Sequence, residues 1–219
     1  MLVPESDVEI IPLFPSISML VDTNPEFQEV RSGLIEYSYE ERMRDEDGIY
    51  RSNVGGWHSN TQILKDPKFA TYKQFLEKYV TKCFEKFAVD RSVIDISSCW
   101  VNINGQGSTN SLHNHPGCDV SGCLWVKSDP TTGAFRMSNP HDFYQHGMLS
   151  MANDDIKNRY KYSENYFFTP KEGHLILFPA HLWHLVRKNN SEQDRISIAF
   201  NISTYKNKNE DVEQIYEDN

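Results

Sequence analysis

The sequence predicts an α+β chain, mainly β, with two helices ahead of a double-sheet jelly roll. Two observations lead there. From Ile94 onward, short strand-like runs alternate with turn residues, at the spacing of a β-sandwich or barrel. Before them, residues 69–87 carry an apolar stripe with helical period, which needs an apolar sheet face to cover. Helices over the outer face of one sheet then account for strands such as 194–203, which are fairly apolar on both faces.

Taken in order, residues 8–21 (VEIIPLFPSISMLV) read as an extended, proline-interrupted edge strand. Asn24 can cap a helix and Pro25 suits its first turn, and Phe27, Val30, Leu34 and Ile35 follow at helical spacing, so a helix is expected over about 25–44. Residues 45–60, with Gly48, Gly55 and Gly56, read as a loop. Asp66-Pro67 opens a second helix, whose stripe runs from Phe69 to Phe87 and reads as core packing. Strands are expected at 94–104, 109–115, 120–127, 132–138, 164–169, 173–178, 182–188 and 194–203. Asp129–Gly133 has the composition of a hairpin turn. Residues 139–163 are polar and long enough for a lid. The expected organisation is one domain over 1–204, helical over about 1–90 and jelly roll over about 91–204. A polar tail over 205–219 follows.

Composition narrows the function. With 31 acidic and 22 basic residues the net charge is −9, so the basic footprint of a nucleic-acid binder is missing. Cys83, Cys99, Cys118 and Cys123 form no CxxC pair and no disulfide framework. The first sixteen residues lack the basic and apolar regions of a signal peptide, and no apolar run approaches membrane-spanning length. A cytoplasmic, reducing location is the expectation, with no membrane partner.

The chemistry concentrates in Ser108–Cys123, STNSLHNHPGCDVSGC. His113 and His115 stand two apart, so on a strand both imidazoles face one side. His184 comes much later, in FPAHLWHLV, and Arg195 eleven residues after it. Two close ligands, one distant ligand and an arginine are the layout of a non-haem iron site beside a carboxylate-binding co-substrate. Asp119, four residues beyond His115, is a rival third ligand to His115. If residues 188–193 form a hairpin loop, the strands at 182–187 and 194–203 pair as antiparallel neighbours, placing His184 across from Ser197 and Val186 across from Arg195. Arg195 and Ser197, at i and i+2, share a face. His58, His141 and His146 read as surface loop residues, and His174 and His181 as strand-start and turn residues.

An ordered set of short motifs carries a resemblance over residues 50–204. It comprises Ser52-Asn53, Gly55-Gly56-Trp57 and Ser59; Trp100-Val101-Asn102; His113-Asn114-His115-Pro116; Ser121-Gly122; Glu172-Gly173; Phe178-Pro179; Leu182-Trp183-His184; and Arg195-Ile196-Ser197-Ile198 with Phe200-Asn201. The chain resembles the 2-oxoglutarate–Fe(II) oxygenase superfamily, and within it the group of oxygenases common in marine bacteria and their phages. The resemblance implies a double-stranded β-helix (jelly roll, cupin-like) core, Fe(II), 2-oxoglutarate, O2, and release of succinate and CO2. It implies that His113, His115 and His184 hold the metal and that Arg195 with Ser197 holds the distal carboxylate of 2-oxoglutarate. Trp125 stands where many relatives carry a supporting tyrosine, and Asn102 and Asn104 are candidate pocket polar groups. His115 departs from the superfamily's usual HxD.

Two other readings compete: a cupin-like metal enzyme that does without 2-oxoglutarate and has no need of Arg195, and a non-catalytic jelly-roll binding module. The substrate is a small molecule or peptide that the sequence does not name, and the oligomeric state is equally open.

Overall fold

The computed structural model describes residues 15–87, 92–141 and 151–206. Eleven strands among these residues form two antiparallel sheets that face each other, a jelly roll with its helices on one side. The strands are β1 (Met19–Asp22), β2 (Asn53–Val54), β3 (Trp57–His58), β4 (Ser92–Asn104), β5 (Thr109–His113), β6 (Val120–Lys127), β7 (Phe135–Ser138), β8 (Asn165–Phe168), β9 (His174–Pro179), β10 (His184–Val186) and β11 (Arg195–Lys206). The larger sheet has the order β1-β9-β6-β11-β4-β3, and the smaller β2-β5-β10-β7-β8.

Helices α1 (Phe27–Arg44) and α2 (Ala70–Phe87) cover the outer face of the larger sheet. The α2 stripe buries Phe75, Leu76, Tyr79, Val80, Cys83 and Phe84, while Phe87, at the helix end, stays exposed. The central strands of the sheet answer it with a strict alternation. In β11, Ile196, Ile198, Phe200 and Ile202 are fully buried toward the helices, and β4 (Cys99, Val101, Ile103) and β6 (Leu124, Val126) do the same. At roughly 1.5–3 kcal/mol per buried large apolar side chain, this layer is the main stabilising feature of the fold. The other face of the same strands carries Arg195, Ser197, Asn201, Asn102 and Trp125 toward the second sheet. A smaller apolar cluster of Trp125, Phe135, Met137, Ile176, Phe178 and Leu182 fills the space between the sheets.

The structure departs from sequence expectation at several places. Helix α1 begins at Phe27 rather than at Pro25, and its N-cap is Glu26 with no side-chain cap. Asn24 instead bonds Asp22, Gln28 and the Glu172 carbonyl, while the Phe27 N–H donates to the Thr23 carbonyl. Residues 45–60 are not all loop, since β2 and β3 extend one edge of each sheet. Short 3-10 turns precede α2, with Asp66 capping the second through the Lys68 N–H at 2.8 Å. Residues 129–133 turn the chain from β6 in the larger sheet to β7 in the smaller, so they make no hairpin. Strands β10 and β11 likewise belong to opposite sheets. Asn189, fully buried, holds the connection between them by donating to the Asn104 and Gln193 carbonyls at 2.9 and 2.8 Å. Such a buried link satisfies backbone groups that a crossing segment would otherwise orphan.

Strand β11 runs on to Lys206, past the expected start of the tail. The segment at 8–14, the tail beyond 206 and residues 142–150 of the expected lid, with His146, lie outside the described residues. Within the rest of 139–163, Asp154–Tyr160 is a short helix capped by Asn153. All four cysteines are free thiols. Among the described residues no helix is long and apolar enough to cross a membrane.

Candidate metal centre and its cavity

Three segments bring the histidines together. His113 ends β5, and His184 opens β10 directly opposite it in the smaller sheet. His115 follows His113 past the end of the strand, where its N–H donates to the Ala180 carbonyl at 2.9 Å. The candidate ligand atoms of the three side chains all lie within 4.8 Å of one another, a group able to hold a metal ion. The His115 and His184 Nε2 atoms are 3.2 Å apart and their rings are parallel to within 5°. The His113 and His184 ring centroids are 4.2 Å apart.

Backbone acceptors set the tautomers. His113 Nδ1 lies 2.7 Å from the Ser111 carbonyl and His184 Nδ1 2.8 Å from the Leu182 carbonyl. A carbonyl accepts only, so each Nδ1 carries the proton and each Nε2 keeps its lone pair. Burial pushes His184 down to about 3 and His115 to about 4, each helped by the charge His113 would carry. His113 is lowered by burial against the opposing pull of the Ser111 carbonyl. The cluster is therefore neutral at pH 7. Converging imidazole lone pairs repel unless a cation lies between them, so the donor set fits a divalent transition metal. Asp119 is not part of the group: its carboxylate accepts from the Thr204 N–H and hydroxyl at 2.7 and 3.0 Å. Cys118 donates to the His115 carbonyl at 3.3 Å, and Cys123 stands against Ser197 and Arg195.

The cluster opens on a cavity of about 710 Å³ between the two sheets. Arg195, Ser197, Ala199 and Asn201 reach it from successive inward positions of β11, with Trp125 and Asn102 from the flanking strands. Arg195 is 2% exposed and has no carboxylate partner among the described residues. Its Nη2 donates to Asn104 Oδ1 at 3.1 Å and more weakly to Asn110 Oδ1 at 3.5 Å; Nη1 reaches the Thr132 and Gly133 carbonyls at 3.5 Å. The Nε is buried with no acceptor. Burial lowers the guanidinium to about 10, so it stays charged at neutral pH. A charge held dry against neutral acceptors costs several kcal/mol unless an anion joins it.

Arg195 and His184 do share a cavity, but they reach it from opposite walls rather than as cross-strand neighbours. Ser197 pairs with Asn102 and Trp125, and Arg195 with Asn104. Asn104 stands behind Arg195, linking it to Asn110.

Sequence reasoning placed His58 on the surface, whereas it is 4% exposed and lines the cavity. Its ring stacks on Trp100 at 5.5 Å, and Trp100 stacks on His115 at 5.7 Å, a three-ring shelf leading to the histidine cluster. Only the two-residue strand β3 brings it there, and so short a strand has no readable period. Asn201 was readable, since it continues the two-residue spacing of Arg195 and Ser197. His141 is exposed at the start of the 139–163 segment, and His174 is paired with Asp22 at 3.5 Å at the other end of the larger sheet.

Residues 98–201 match the family model described as "Putative 2OG-Fe(II) oxygenase". The match takes in just under half of the chain. The fold is shared with solved structures. A prolyl-4-hydroxylase from Pseudomonas putida superposes with a TM-score of 0.57 at 12% identity, over 86% of this chain and 92% of that one. HygX from Streptomyces hygroscopicus, with nickel and 2-oxoglutarate bound, superposes with a TM-score of 0.57 at 12% identity, over 86% and 83%. At such identities the likeness is one of fold. A further match, 27% identical over 144 residues, is to the hemocyanin F chain of Aphonopelma sp.; it takes in 56% of this chain and only 23% of that protein.

Proposed function

We propose that the chain is a non-haem Fe(II)- and 2-oxoglutarate-dependent dioxygenase that hydroxylates a small-molecule or peptide substrate. In this reading residues 1–204 work as one unit, and the narrower likeness to the marine bacterial and phage group rests on the sequence motifs alone. The observation that carries the proposal is Arg195: a buried guanidinium, with no carboxylate partner among the described residues, in the same cavity as three neutral, converging histidines.

His113, His115 and His184 would hold the iron through Nε2, with the Ser111 and Leu182 carbonyls fixing two of the rings by their Nδ1 protons. Arg195 and Ser197 would take the distal carboxylate of 2-oxoglutarate, for which the unpaired Nε is a free donor. Asn104 and Asn110 hold the guanidinium in place from behind. Trp125, Phe135 and Phe178 make the inner wall apolar and keep water from the reacting groups. When bound, iron and 2-oxoglutarate would supply the oxidising chemistry: O2 delivers one oxygen atom to succinate and one to the substrate C–H, and CO2 leaves.

The test is an anaerobic titration of the iron-loaded protein with 2-oxoglutarate, following the visible charge-transfer band of the chelated co-substrate. A band is expected. In Arg195→Ala the 2-oxoglutarate affinity should fall about a hundredfold, the worth of a charge-assisted pair of ~2–3 kcal/mol, with iron still bound. Iron binding with no band would reject the 2-oxoglutarate dependence and favour a cupin-like enzyme. Failure to bind iron would make the histidines structural and favour a binding module.

A further inference from the structure

The cavity has a second cationic anchor, at its mouth. Among the described residues its lining includes Arg51, Arg195 and the four histidines His58, His113, His115 and His184, but no Asp or Glu. That absence stands out in a chain with 31 acidic and 22 basic residues. Taking the proposed function as its basis, a divalent metal is balanced by the 2-oxoglutarate dianion. Arg195 and Arg51 then leave the loaded cavity positive, and low-dielectric walls focus that potential on the entrance.

Arg51 is not a freely wandering surface side chain at its root. Its N–H donates to Asn53 Oδ1 at 2.7 Å, and Asn53, itself buried, donates to the Gly56 carbonyl at 2.9 Å. Asn53 pairs with Asn110, and the Ser111 N–H donates to the Ser52 carbonyl at 2.8 Å. The segment 51–53 is thereby stitched to β5, the strand that carries His113. The guanidinium has no ion-pair partner among the described residues. Its charge is felt at His58, the outer ring of the shelf that runs through Trp100 to His115.

We infer that Arg51 is a specificity-determining residue that binds an anionic group, carboxylate or phosphate, of the substrate, which then lies along the shelf toward the metal centre. Arg195 holds the co-substrate at the inner end and Arg51 selects the substrate at the outer end. The 710 Å³ cavity is of a size that holds two small molecules together.

The experiment uses full-length, iron-loaded protein under anaerobic conditions with 2-oxoglutarate present. Phenyl phosphate, phenylacetate and the neutral benzyl alcohol are titrated calorimetrically while the charge-transfer band is monitored. At least one anionic probe should bind about tenfold more tightly than benzyl alcohol, with the band retained. Whichever of the two anions binds better tells phosphate from carboxylate. Arg51→Gln should abolish the preference and Arg51→Lys should keep most of it, both with unchanged 2-oxoglutarate affinity. An unchanged preference in Arg51→Gln, equal binding of the neutral probe, or anion binding that bleaches the band would each overturn the inference. A band that never forms rejects the proposed function instead, and the same comparison between wild type and Arg51→Gln on the iron-loaded protein still decides the role of Arg51.

Discussion

His115 differs from its two neighbours in what holds its outer nitrogen. His113 and His184 are fixed by backbone carbonyls, whereas His115 has the Asn201 side chain as its polar neighbour, whose Oδ1 accepts from Ser121 at 2.9 Å. A carboxamide oxygen has two lone pairs, so Asn201 can accept from the ring once a metal fixes it. Groups of this kind fix ring orientation and typically change metal affinity 10–100-fold. Asn201→Ala should therefore weaken metal binding to the metal-free protein by about tenfold or more, read by competition with a chromogenic chelator, while Asn201→Asp should retain it. An unchanged affinity in Asn201→Ala would show that Trp100 stacking and the Ala180 contact suffice to position the ring. At this scale the sequence was informative where a period existed. His113 and His115, and the series Arg195, Ser197, Asn201, follow strand spacing. His58 and Asn110 follow none, because their placement depends on chain-distant pairing.

Strand β11 shows how an element serves two environments. One face is sealed by Ile196, Ile198, Phe200 and Ile202 under the helices, and the other presents polar groups to the cavity. Close packing on the sealed side leaves no slack. A methyl added at Gly122 on β6 would collide with the Phe200 ring and with Leu177. Gly122→Ala should thus lower stability by ~1–3 kcal/mol in urea denaturation. A midpoint equal to the parent's would mean that the sheet and α2 move apart at little cost. Helices α1 and α2 and most strands were legible because their runs are long enough to show a period. The two-residue strands β2 and β3 were not, and neither was the partner of β10. The loop between β10 and β11 is short, and a short loop usually means a hairpin. Here Asn189 carries it across to the opposite sheet instead.

For the whole molecule, His58, His115 and His184 are each lowered from the ordinary histidine value by burial, the last two to about 4 and about 3. The unfolded chain titrates near 6.5. Between those values the unfolded state binds more protons, so stability is complete above pH 6.5 and declines as the pH falls toward 4 and below. The urea midpoint of metal-free protein should drop between pH 7 and 4.5, with a shallower decline in His115→Gln. Equal slopes in the two proteins would assign the acid sensitivity to carboxylates elsewhere. Saturating metal should raise the midpoint at pH 7, since the ligands bind it only when folded and deprotonated.

The sequence by itself determined the fold class, the helical layer and the set of histidines and arginine with matched strand spacing, because side-chain period and residue chemistry are local properties. Only the tertiary structure decided that His184 and Arg195 meet from opposite sheets, that Asp119 turns to Thr204, and that His58 and Arg51 join the cavity. Those outcomes depend on which strand lies beside which, and such pairings join residues tens of positions apart that share no local signal.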